Sequence, residues 1–210
     1  MKVYAFNKTN DTSVGWLSNM HASKVLYDDD LWPTAEHLFQ YMRYENLDDV
    51  EYTYTKTDED TGEKITRTEI VNAQTIRAEI LATASPLFAK KLAKKYSKVI
   101  SSPDVKYDDK QNEEEQLRIA IAQAQEAKQV GKRYRQLMTT TKENDKKLMD
   151  KVVRLKLAYN PDLIRRLIST DGLIVEDVTT RKGGSASFWG AAKQEDGTWV
   201  GENALGVIWM

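Results

Sequence analysis

A carboxylate, an amide and a guanidinium stand one helical turn apart at Glu36, Gln40 and Arg43, in and just beyond the segment Trp32-Pro33-Thr34-Ala35-Glu36-His37-Leu38-Phe39-Gln40. Pro33 biases Trp32 away from helix and Thr34 is a good N-cap, so the spacing predicts a helix over residues 35–46. The three side chains then lie along one side of it. Such a line can form one wall of a polar site, with the glutamate as general acid or base. The alternative is a first-turn Glu that favours the helix dipole and a polar face in water. His37, next to Glu36, is one of 2 histidines; neither it nor His21 sits in an HxH, HxxxH or HExxH spacing. A mechanism without a metal is therefore expected. No GxSxG frame marks a serine nucleophile, and zero cysteines exclude disulfides, Cys-zinc sites and thiol catalysis.

Two further charges sit in apolar frames. Leu173-Ile174-Val175-Glu176 reads as a short buried strand ending in a carboxylate. Lys156 falls in line with Met149, Val152 and Val153 on a helix over residues 145–159, with Asn144 or Asp145 as N-cap. A lysine so placed either snorkels at the edge of the core or points into a cleft.

The elements that must position these groups are read from pattern. Residues 2–7 and 24–27 are strand-like, with a turn-like stretch from Gly15 to Met20 between them. Residues 50–71 hold two Thr/Tyr/Ile-rich arms around a charged turn at Gly62, a projecting β-hairpin. A helix over residues 72–83 follows. Another opens with Ser85 as N-cap and Pro86 at its first position. Its apolar stripe is Phe88, Ala89, Leu92, Ala93 and Tyr96, opposite Lys90, Lys91, Lys94 and Lys95. That lysine face is either solvated or a patch for phosphate. After a polar connection over residues 101–110, Leu117, Ala120, Ile121, Ala124, Ala127 and Val130 predict a long amphipathic helix. It carries a second basic cluster of Lys128, Lys132, Arg133 and Arg135. Pro161-Asp162 starts one more helix, ending near Gly172. The tail from Arg181 to Met210 is rich in Gly and Trp and shows little helical pattern.

The balance of 31 basic and 32 acidic residues gives a net charge of -1, so a polyanion would have to be held by local patches. No apolar run of about 18 residues exists, and none is expected to span a membrane. The N-terminus lacks the apolar core of a signal peptide, which with the absence of cysteine makes a cytoplasmic location the expectation.

Several segments occur in a fixed order: Gly15-Trp16-Leu17-Ser18-Asn19, Trp32 through Gln40, Ser85-Pro86 with Ala89, Met149 through Lys156, Leu163 through Thr170, Ile174-Val175-Glu176, Phe188-Trp189-Gly190 and Gly201-Glu202-Asn203-Ala204-Leu205-Gly206. In these the chain resembles the NADAR, or YbiA-like, family over residues 1–46, 83–97 and 145–210. The resemblance implies an α+β fold: a mostly helical single domain over residues 1–210 with a small β component. Insertions are expected at 50–71, the β-hairpin, and at 102–143, a helical segment.

It also implies a metal-independent N-glycosidic hydrolase without a cofactor. The expected substrate is an ADP-ribosyl or phosphoribosyl N-glycoside, foremost ADP-ribose on a modified guanine of nucleic acid. DNA or RNA, reached through the basic patches, is the expected macromolecular partner. The alternatives are an N-glycosidase of phosphoribosylamino intermediates of riboflavin synthesis, and a non-catalytic module that binds ADP-ribose or modified nucleic acid. By the resemblance Glu36, Glu176 and Lys156 are catalytic candidates. Asn19, Gln40, Arg43, Trp189 and Asn203 are substrate-binding candidates. The chain departs from the family where Arg43 replaces a lysine and where Ala186, Ala191 and Ala192 replace acidic residues. A permanently charged Arg43 cannot form an imine, so Lys156 is the matched amine for any covalent step.

Overall fold

The computed structural model describes residues 2–58, 61–101, 107–108, 142–181 and 184–210. The chain runs through β1 (Val3–Phe6), a 3-10 turn (Gly15–Leu17), β2 (Val25–Tyr27), β3 (Asp30–Trp32) and α1 (Ala35–Met42). It continues as β4 (Val50–Thr57), β5 (Lys64–Val71), α2 (Ala73–Leu81), α3 (Pro86–Ser101) and β6 (Tyr107–Asp108). The last part comprises α4 (Lys142–Tyr159), α5 (Pro161–Ile168), β7 (Leu173–Glu176), α6 (Gly184–Trp189), β8 (Ala192–Lys193), β9 (Trp199–Val200) and α7 (Ala204–Trp209). This is the expected α+β arrangement, helices around small sheets. The expected helix over residues 112–137, its basic cluster and nearly all of the 102–143 insertion lie outside the described residues.

Helix α1 is central. Thr34 caps it, its Oγ1 accepting from the His37 amide at 3.3 Å. All eight of its residues are buried, because α2, α3 and α4 pack around it. The alternative of a polar face in water does not hold: Glu36, His37 and Gln40 are 3%, 1% and 4% exposed. Core side chains from the neighbours are Ile76 and Ile80 of α2, Ala89 and Ala93 of α3, and Met149 and Val152 of α4. Trp32 stacks on Tyr41 with centroids 5.0 Å apart, and the Tyr44 hydroxyl donates to the Ala93 carbonyl at 2.6 Å.

β1 and β7 pair in parallel, Val3 with Leu173 and Phe6 with Glu176, which brings the N-terminal strand against the segment that ends in Glu176. β4 and β5 form the antiparallel hairpin, Val50 opposite Val71, with Gly62 at φ 73 in its turn. β5 is exposed except at Val71, as its polarity implies. β6 adds to β4 in parallel.

Four local expectations are corrected. Helix α4 begins at Lys142, so Asn144 and Asp145 lie inside its first turn rather than capping it. Phe88 is 56% exposed: the buried side of α3 keeps Ala89, Ala93 and Tyr96 of the expected stripe and adds Ile100, while Phe88 falls outside it. The Gly- and Trp-rich tail contains α6 and α7, each six residues, too short for a periodic signal. Lys156 does not snorkel: it is 0% exposed.

Candidate active site

The site starts from the N-terminus of α1. The segment from Trp16 to Asn19 lies against it, and the Glu36 amide donates to the Asn19 carbonyl at 2.8 Å. Asn19 Nδ2 donates to Glu36 Oε2. One turn along, Gln40 Nε2 donates to Glu36 Oε1 at 2.7 Å. Arg43 Nη1 in turn donates to Gln40 Oε1 at 3.3 Å, and its Nε lies 3.6 Å from Asp145. The sequence-predicted line of Glu36, Gln40 and Arg43 is therefore a connected polar chain, extended at both ends by Asn19 and Asp145.

Burial raises the pKa of the Glu36 carboxyl above its ordinary value. Lys90 and the Gln40 bond oppose that, Glu176 adds to it, and Arg43 opposes it. Burial likewise raises Asp145 against the opposing charge of Arg43. Glu176, at the end of β7, accepts from Arg181 Nη1 at 2.7 Å. Two carboxyls within electrostatic reach thus have different settings, one desolvated on amides and one held by a guanidinium.

Asn203 fixes where Glu176 stands. Its Oδ1 accepts from the Glu176 amide at 3.1 Å and its Nδ2 donates to the Ile174 carbonyl at 2.8 Å. Asn203 sits in the left-handed region at φ 50, which asparagine tolerates. Gly206 must be glycine for this contact: a Cβ there would lie 2.3 Å from the Ile174 carbonyl and about as close to the Asn203 amide. Gly190 has the same relation to the Glu176 carbonyl, at 2.3 Å. The Trp-Gly and Gly-x-Asn-x-Leu-Gly segments are hence the brackets that hold β7. Asn203, expected to bind substrate, has both side-chain heteroatoms on backbone.

Trp189 lies half-buried, edge-on to Phe39 at 5.6 Å and to Phe188 at 4.7 Å. Phe39 is three residues beyond Glu36, so the tail tryptophan reaches the same helix as the glutamate. Lys156 is placed elsewhere. Its Nζ donates to the carbonyls of Trp16 at 2.6 Å and Ser18 at 2.9 Å. The charges acting most on Glu36 are Lys90, Glu176 and Arg43.

Two cations of the cluster were not read as site residues. Lys90, on the exposed side of α3, was read only as part of a lysine face, solvated or phosphate-attracting, with no signal that it acts on Glu36. Arg181 returns to Glu176 because its amide bonds the Val178 carbonyl at 2.8 Å, a turn that leaves no spacing motif. Among the described residues no group of three or more His, Asp or Glu side chains is arranged to hold a metal ion. Among the same residues no helix is long and apolar enough to cross a membrane.

These features make the chain an α+β protein in which β1 pairs in parallel with β7 and the helix carrying Glu36 is buried. The solved NMR structure of the Escherichia coli protein YbiA is similar to it: TM-score 0.52, 20% identity, covering 99% of this chain and 80% of that one. The fold is YbiA-like. No family model matches the chain, and no curated protein matches it.

Proposed function

We propose that this protein is an N-glycoside hydrolase acting on ADP-ribosyl or phosphoribosyl N-glycosides, in particular ADP-ribose linked to guanine of nucleic acid. The observation that carries this reading is Glu36: a buried carboxyl with a raised pKa, held by two amides, beside a second carboxyl paired with an arginine. N-glycosidic cleavage puts positive charge on the anomeric carbon and negative charge on the leaving nitrogen. It calls for an acid and a carboxylate in one site.

In this reading Glu36 is the acid. It holds its proton by burial and passes it to the departing nitrogen. Glu176, paired with Arg181, stabilises the sugar cation and takes a proton from the attacking water. The water oxygen bonds to the anomeric carbon as the carbon–nitrogen bond breaks. Asn19 and Gln40 orient Glu36, and Trp189 offers a flank for a base. Stacking of that kind contributes about 1–3 kcal/mol per base. Lys90 and Arg43 meet the phosphates. Support for the choice of substrate comes from the resemblance to NADAR proteins and from the exposed lysines of α3.

The test is an assay of the purified chain, in parallel, on ADP-ribosylated DNA, ADP-ribosylated protein, NAD and a phosphoribosylamino-pyrimidine. Products are followed by mass spectrometry. Free ADP-ribose from the DNA is the expected result. Release from the pyrimidine alone would move the activity to the riboflavin-type substrate. Binding without release from any of the four would make the chain a reader.

A further inference from the structure

The carbonyls of Trp16, Leu17, Ser18 and Asn19 are four consecutive acceptors, and each is taken by a donor from another element. Lys156 Nζ of α4 takes those of Trp16 and Ser18. Trp209 Nε1 of α7 takes that of Leu17 at 2.9 Å, and the Glu36 amide of α1 takes that of Asn19. The strip overlaps the end of the 3-10 turn Gly15–Leu17, whose last carbonyls have no partner within the turn itself. It ends on Asn19, the residue whose amide bonds the Glu36 carboxyl.

Lys156 is an expensive way to occupy core. Met149, Val152 and Val153, on the same side of α4, are apolar, and a fourth apolar residue would pack there. An ammonium removed from water costs several kcal/mol unless it is well bonded. Its Nζ donates to two backbone carbonyls, and the centre of the Trp209 ring lies 5.4 Å from Nζ. An amine on a long stem is what reaches two carbonyls of the strip at once. We infer that Lys156 is a positioning residue: it grips the Trp16 and Ser18 carbonyls and so sets the Asn19 amide against Glu36.

This deepens the assignment of Glu36 as the working carboxyl and gives Lys156 a role other than imine chemistry. Burial lowers Lys156 to about 7, which is consistent with a sealed amine. The titratable group that feels its charge is His21, on the same loop. Burial lowers the pKa of His21, and the charges of Lys156 and of Arg166 on α5 lower it further.

The experiment follows the Glu36 carboxyl by carbon NMR in the full chain: wild type, Lys156→Met, Asn19→Ala and the double variant. Asn19→Ala removes a donor to the ionised form and is expected to raise the Glu36 midpoint by about 1–2 pH units. Lys156→Met is expected to give at least half that rise. The double variant is expected to rise no further than Asn19→Ala, since the two act through one contact. A folded Lys156→Met chain with the wild-type midpoint, or a double variant showing the full sum, overturns the inference.

Wild type alone gives a second measurement should Lys156→Met fail to fold. The Asn19 side-chain amide resonances should shift with the titration of Lys156 Nζ, and a flat response overturns the inference. These readouts need no substrate, so a failed hydrolase assay and a failed positioning role are told apart. If the chain hydrolyses, Lys156→Met lowers kcat and leaves KM near wild type.

Discussion

Two buried ionisable groups stand at opposite ends of one short strip of loop, and their surroundings differ in kind. At one end Lys156 is sealed: burial lowers its pKa and its Nζ donates to two backbone carbonyls. At the other, Glu36 is equally desolvated but answers to Lys90, Glu176 and Arg43 as well as to two amides. A buried charge tied to backbone holds a loop. A buried charge coupled to other ionisable side chains can exchange a proton with a substrate. The contrast separates architecture from chemistry where burial alone would treat both groups alike.

The comparison is most exposed to failure at Glu36. Glu36→Gln keeps the shape and an oxygen that accepts from Gln40 Nε2, and should lower kcat by about 10²–10⁴-fold with an unchanged circular dichroism spectrum. Near-wild-type turnover would reduce Glu36 to a packing residue like Lys156. Next in size, Asn203→Ala leaves the Glu176 amide and the Ile174 carbonyl without the partners it supplies. Urea denaturation should show a loss of about 1–3 kcal/mol for each.

A third effect isolates the sealed end. Lys156 titrates at about 7 in the fold, below its ordinary 10.5, so the unfolded chain binds more protons between those values. Stability therefore rises with pH above about 7, by at most about 1.4 kcal/mol per pH unit, and this contribution is lost as pH falls through 7. Denaturation from pH 7 to 9 should show that rise in wild type and not in Lys156→Met. The window lies above the lowered His21 and below the raised Tyr27, Tyr41 and Tyr44.

Thr34→Ala removes the cap of α1 and should cost about 1 kcal/mol, read as a lower urea midpoint. Smallest is Lys90→Gln. It should raise KM several-fold for a phosphate-bearing substrate with kcat little changed, the mark of lost ground-state binding.

Much of this was legible in the sequence. The Thr34 cap and the spacing of Glu36, Gln40 and Arg43 specified one side of a helix, and the structure joins those three side chains by hydrogen bonds. The strand ending in Glu176 and the hairpin over residues 50–71 followed from β-branched runs and turn residues. What was not legible depends on long-range packing. Nothing local says that α1 is buried on all sides, since that follows from α2, α3 and α4 closing on it. Lys156 looked like an edge residue because its acceptors, the Trp16 and Ser18 carbonyls, carry no side-chain signal. Arg181 and Lys90 join the carboxyls only through a loop turn and a neighbouring helix. Asn203 was read as a ligand contact because its motif was visible, while its two backbone partners on β7 were not.

The central claim is that Glu36 delivers the proton in glycosidic cleavage. The pH dependence of ADP-ribose release by the wild-type chain, from an ADP-ribosylated guanine oligonucleotide, tests it most directly. The account expects the rate to fall as pH rises through a midpoint above the ordinary carboxylate range, coincident with the carbon NMR titration of Glu36. A rate that stays level through that titration would contradict it.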